Sequence, residues 1–115
     1  MIQISTKKIV YLLIITFFSI ILFSQNVPPS ITDPAELEAT QQERQRVFDS
    51  IIEDPTNLDN LFNYANLSIL VGDLEAAIGI FEQMLIYKPD LPRIKLELGV
   101  LYFRLGAYAS AKRYL

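Results

Sequence analysis

The chain has no cysteine, no histidine and no tryptophan, and only four glycines in 115 residues. Without cysteine there are no disulfides, no thiolate metal sites, no cysteine nucleophile and no lipid-modified cysteine of the bacterial lipoprotein kind. Without histidine the commonest general base and the commonest metal ligand are gone. No motif frames a serine with a lysine, and neither a glycine-rich phosphate loop nor a calcium loop is written anywhere. The carboxylates are scattered: Asp33, Glu36 and Asp59 stand where helix caps are expected, and Asp73 falls in a turn. Asn66-Leu67-Ser68 has the form of a glycosylation acceptor but lies inside a helical pattern, where chance explains it. An excess of basic charge is also missing. Ten basic against thirteen acidic residues give a net charge of -3, and the eight basic residues left after Lys7 and Lys8 give -5 for the remainder. Nucleic acid is therefore not an expected partner. The chain reads as a non-enzyme with no cofactor and no metal.

One stretch departs from this mildly acidic composition. Residues 9–23 carry no charge and are interrupted only by Thr16 and Ser19, and a short polar head with Lys7 and Lys8 precedes them. A positive head followed by an apolar run is the pattern of a secretory signal peptide. A spanning helix wants about 20 apolar residues, more than this run offers. Cleavage is expected after Ser24, with Gln25 as the new N-terminus. Leu22 stands where a small residue is preferred before the cut, which keeps an uncleaved anchor open as the alternative. Residues 1–24 are thus a signal peptide or signal anchor. Residues 25–32 are a Pro-rich linker, because Val27-Pro28-Pro29-Ser30 cannot sustain helical hydrogen bonds.

Helical patterns fill the rest. Asp33-Pro34-Ala35-Glu36 combines a capping side chain, a proline suited to the first turn and a glutamate at the capping-box position. The helix it opens runs to Glu53, polar at first and then apolar at Val47, Phe48, Ile51 and Ile52. Thr56 with Asp59 three residues on is a second capping signature. Leu58, Leu61, Phe62, Ala65, Ile69 and Leu70 mark an apolar stripe at helical spacing, and Gly72-Asp73 ends it. Ala76, Ala77, Ile80, Phe81, Met84 and Leu85 mark the next helix, and Lys88-Pro89-Asp90-Leu91-Pro92 closes the hairpin. Ile94, Leu98, Leu101 and Tyr102 then face inward from a third helix, and Gly106-Ala107 turns the chain into a fourth that begins at Tyr108.

These patterns are one pattern written twice. A step of thirty-four positions carries Ala65 onto Gly99, Gly72 onto Gly106, Leu74 onto Tyr108 and Ala77 onto Ala111; it also carries Pro55 onto Pro89 and Ile51 onto Leu85. A fixed step of this size marks a solenoid of stacked hairpins. The expected division is a capping helix or half-repeat over 33–57, a first unit over 58–91 and an incomplete second unit over 92–115. The last helix stops on an apolar residue without a cap, so the expectation is the N-terminal part of a longer protein, or self-association through the unfinished C-terminal helix.

The second unit, with Gly99, Tyr102, Gly106, Tyr108 and Ala111, resembles the tetratricopeptide repeat, as does the first with Gly72, Leu74, Ala77, Phe81 and Pro89. The first unit departs at Tyr64, Ser68 and Met84, where leucine, tyrosine and alanine are usual. The resemblance implies an all-α solenoid of helical hairpins that binds a protein or peptide on the concave surface lined by the first helix of each pair. Carried over by position, that surface holds Asp59, Phe62, Asn66, Ile69 and Leu70 from the first unit and Arg93, Leu96, Val100, Phe103 and Arg104 from the second. Phe62, Leu96 and Phe103 have equally the spacing of packing residues, and Arg93 and Arg104 suit either a carboxylate clamp or a solvated edge. Residues 91–106 also look similar to the periplasmic repeat domain of bacterial outer-membrane proteins of the surface lipoprotein assembly modifier type. The expectation is an exported, periplasmic binding module, the soluble arm of an outer-membrane assembly or secretion protein. The alternatives are an inner-membrane scaffold anchored through residues 9–23, or a regulatory segment of an enzyme whose catalytic part lies beyond residue 115.

Overall fold

A computed structural model describes residues 5–23 and 28–115, with side-chain surroundings for 5–15 and 28–115. The expected cleavage point at Ser24 and Gln25 and the first residues of the linker lie outside the described residues. Helix α1 spans Thr6–Phe23, α2 Pro34–Glu53, α3 Leu58–Leu70, α4 Leu74–Tyr87, α5 Pro92–Arg104 and α6 Tyr108–Tyr114. Among the described residues there is no strand, and no helix is long and apolar enough to cross a membrane. The apolar residues 9–15 of α1 are exposed. Packing runs in chain order, α2 on α3, α3 on α4, α4 on α5 and α5 on α6, as hairpins stacked in a row require.

The two hairpin turns are built alike. Gly72 and Gly106 have φ of 83° and 75°, a left-handed conformation that costs glycine nothing and other residues about 1 kcal/mol or more. The Asp73 N–H donates to the Ser68 carbonyl (2.8 Å) and the Gly72 N–H to that of Ile69 (3.1 Å). Thirty-four residues on, the Ala107 N–H donates to the Tyr102 carbonyl and the Gly106 N–H to that of Phe103, both at 2.9 Å. Each glycine thereby satisfies two free carbonyls at a helix end. Starts are less uniform. The Asp33 carboxylate accepts from the Ala35 N–H at 2.9 Å and Pro34 occupies the first turn. α3 is capped by Asn57, which accepts from the Asn60 N–H at 3.0 Å; Thr56 instead bonds the Asp54 carboxylate. The capping role expected of Thr56 and Asp59 thus falls one residue later, to Asn57.

A continuous core follows the helix row: Val47 and Ile51 from α2, Leu61 and Ala65 from α3, Leu74, Ala77, Ile78, Phe81 and Met84 from α4, and Ile94, Leu98 and Leu101 from α5. Two expected inward residues of α2 are outside it: Phe48 is 39 % and Ile52 65 % exposed. α2 packs on one neighbour, so only half of its apolar stripe is covered. Ser68 is fully buried although polar, because its hydroxyl donates to the Tyr64 carbonyl at 2.8 Å within the same helix. A β-carbon at Gly99 would stand 2.5 Å from Cγ of Leu115. This is the close approach that the missing β-carbon at 99 allows.

Candidate functional site

The ten residues assigned to the concave surface lie on α3 and α5, the first helix of each pair. On α3, Asp59 and Leu70 are exposed and Phe62, Asn66 and Ile69 are half-buried; on α5, Arg93, Leu96, Val100, Phe103 and Arg104 are all exposed. Three side chains tie the two helices into one face. The Phe62 ring lies 6.0 Å from that of Phe81 on α4, tilted by 43°. The Arg93 guanidinium stands 5.0 Å above the Phe62 ring, a cation–π contact that fixes the arginine over α3. Arg93 Nε is 4.0 Å from the Glu97 carboxylate one turn on, a loose exposed pair of little energetic weight. Below this platform Leu96 (55 %), Val100 (43 %) and Phe103 (60 %) leave large apolar surfaces in water. Phe103 meets Tyr108 at 5.2 Å between ring centroids, which extends the apolar surface onto α6. Tyr108 was not among the expected surface residues, since it stands on the second helix of its pair.

The opposite side of α5 is anchored. Tyr102 donates its hydroxyl to the Glu82 carboxylate of α4 at 2.5 Å and stacks on Tyr114 of α6, 5.9 Å away and 8° from parallel. The hydrogen bond to Glu82, then burial, then the charge of Glu82 push the Tyr102 phenol up from 10.0 to about 12. The folded chain therefore holds this phenol neutral to higher pH than the unfolded chain does. Its contribution to stability is complete below pH 10 and is lost as pH rises through about 12. Tyr102→Phe is expected to cost about 1 kcal/mol at neutral pH and to remove this part of the alkaline loss. Thermal unfolding of both proteins at pH 7 and pH 11 checks it; an unchanged difference between the two pH values would refute the role of Glu82.

Residues 68–115 match the tetratricopeptide repeat family profile. The match begins at the end of α3 and takes in α4, α5 and α6, so the repeat holds the hairpin turns and the whole of the exposed α5 stripe. No curated protein matches the chain. The repeat is in general a non-catalytic interaction scaffold. Among the described residues no cluster of three or more carboxylates is placed to hold a metal ion.

Register within the repeat also explains a cleft that lies outside the stripe. It has a volume of about 330 Å³ and is lined by Gln41, Arg44, Gln45, Phe48 and Tyr64, between α2 and α3. Phe48 stands thirty-four positions before Glu82, and Ser68 thirty-four before Tyr102. The tyrosine–glutamate bond of the second unit therefore has no counterpart in the first. In its place Tyr64 packs on Phe48 at 5.6 Å and carries the Arg44 guanidinium at 5.3 Å. Arg44 also pairs with Asp73 at 2.9 Å, and Asp73 caps α4 by accepting from the Ala76 N–H at 3.2 Å. None of the expected surface residues lines this cleft, and its arginine is engaged by Asp73 and Tyr64 together.

Proposed function

We propose that this chain is an exported tetratricopeptide-type module that binds a protein or peptide along α5 and the adjoining edge of α3. The observation that carries the proposal is the line of Leu96, Val100 and Phe103, large apolar side chains left in water on the first helix of a repeat. A helix face of this kind suits an amphipathic segment laid against it. Export is supported by Lys7 and Lys8 ahead of the uncharged residues 9–23. With the likeness of residues 91–106 to periplasmic repeat domains, this favours the soluble arm of a larger outer-membrane assembly protein.

Selection from a displayed library of random peptides, each about sixteen residues long to span more than four helical turns, tests the binding face on the full chain in mild non-ionic detergent. Recovery is expected to fall about tenfold or more with Val100→Asp and with Phe103→Asp, since a charge would stand where an apolar residue must be buried. Both positions are exposed, so stability should move by no more than about 0.5 kcal/mol. No enrichment on the wild-type chain would overturn the reading. N-terminal sequencing of the chain recovered from a bacterial periplasm tests export: a start at Gln25 means cleavage, retention of Met1 in the membrane fraction means an anchor, and recovery only from the cytosol refutes export.

A further inference from the structure

Charge in this chain is divided by position. Residues 33–91 carry twelve acidic and three basic side chains, a net of -9; residues 92–115 carry five basic and one acidic, a net of +4. The exposed stripe lies wholly in the basic part. Around α5, at 100° per residue, Arg93, Val100 and Arg104 fall within about 40° of one another, and Leu96 and Phe103 within about 80° of Arg93 on one side. Eleven residues separate the two arginines, so they stand about 16 Å apart along the helix. Arg93 is held over Phe62 at 5.0 Å, its nearest carboxylate a loose 4.0 Å away. Arg104 forms no ion pair among the described residues. The stripe is thus an apolar strip with a guanidinium at each end.

We infer that the partner segment is an acidic amphipathic helix, with carboxylates about eleven residues apart and apolar residues between them at helical spacing. The inference rests on the binding face proposed above and specifies its ligand. A helix laid along α5 repeats the same rise per residue, so carboxylates at that separation meet Arg93 and Arg104 together while its apolar side chains cover Leu96, Val100 and Phe103. Guanidinium forks suit carboxylates. An extended strand would need five residues for the same distance, and residues five apart in a strand point to opposite faces. An anionic membrane is disfavoured, because the acidic remainder of the array would be repelled by it.

The enriched library peptides supply the test. They are expected to carry Asp or Glu about eleven residues apart, flanking apolar residues at positions three, four, seven or eight. One such peptide and its twin, with Asn and Gln for Asp and Glu, are titrated against the full chain by fluorescence anisotropy. The acidic peptide should bind about tenfold more tightly than the amide twin. Arg104→Gln should reduce that ratio to about threefold, Arg93→Gln together with Arg104→Gln to about one, and salt raised from about 0.05 to about 0.5 M should compress it likewise. Equal affinity for acid and amide twins, with binding still lost in Val100→Asp, overturns the acidic ligand and leaves the binding face standing. Absence of any enriched peptide removes the binding face itself and the inference with it. Arginine-dependent binding to phosphatidylserine vesicles without a preference between the peptides would replace the acidic helix by a membrane.

Discussion

Phe81→Ala is expected to cost about 3–5 kcal/mol, a large part of the total stability of a small helical array. Phe81 is fully buried in α4 at the centre of the core cluster and packs against Phe62 across the α3 interface. Its removal leaves a ring-sized cavity that the neighbouring helices can close only by shifting toward each other. The repeat supplies a second, milder substitution for comparison. The register position of the second unit carries leucine, Leu115; that residue is 68 % exposed, so the comparison rests on leucine keeping most of the apolar volume at the buried site. Phe81→Leu should therefore cost about 1 kcal/mol. Urea unfolding followed by helical circular dichroism measures both. A cost below about 1 kcal/mol for the alanine variant would show that the site collapses freely and that Phe81 is not a centre of the core. The effect also reaches the binding face: Phe62 loses its support, and with it the platform on which Arg93 rests.

The hairpins were legible in the sequence because their signals are local. Gly72 and Gly106 mark turns that need positive φ, Pro34 and Pro92 occupy first turns, and the step of thirty-four residues puts the same bonds at both turns. What was not legible depends on neighbours distant in the chain. Asp73 has the local look of a turn residue, yet it caps α4 and pairs with Arg44, twenty-nine positions earlier. Phe48 and Ile52 have the spacing of core residues, but a helix with one packed neighbour covers a narrower stripe than a helix between two. Ser68 has the chemistry of a surface residue and is buried, because a hydroxyl bonded to its own helix no longer needs water.

The candidate surface divides in the same way. The family resemblance, carried over by position, placed its ten residues on the first helices of two units. It could not grade them, and the gradient is what gives the face its character. Phe62 is partly covered by Phe81 and Arg93, whereas Leu96, Val100 and Phe103 remain open. Those contacts depend on the angle between successive hairpins, which no spacing within one helix encodes. Tyr108 joined the face for the same reason: its ring reaches Phe103 across the turn at Gly106.

Ala77→Leu should lower the melting temperature of the array sharply. Ala77 has no exposed surface and belongs to the core shared by α3, α4 and α5, and Ala111 repeats it at 3 % exposure in the next hairpin. Leucine is nearly as good a helix former as alanine and more apolar, so neither helix propensity nor hydrophobicity can account for a loss. What remains is volume: three added carbons must push paired helices apart or leave their preferred rotamers, at a cost of about 1–3 kcal/mol and occasionally more. In an array of this size each kcal/mol lowers the melting temperature by about 4–8 °C, so a drop of about 10 °C or more is expected. Ala77→Gly separates crowding from backbone effects. It leaves the helices free to approach and should cost about 1 kcal/mol through helix propensity, less than the leucine variant. Glycine as damaging as leucine would mean that α4 is limited by its backbone, and a sharp, unchanged thermal transition in Ala77→Leu would remove the helix-contact role assigned to Ala77. Because Ala111 has the same place in the second hairpin, Ala111→Leu should reproduce the direction of the effect. Fewer helices enclose that site, which makes the expected loss smaller there.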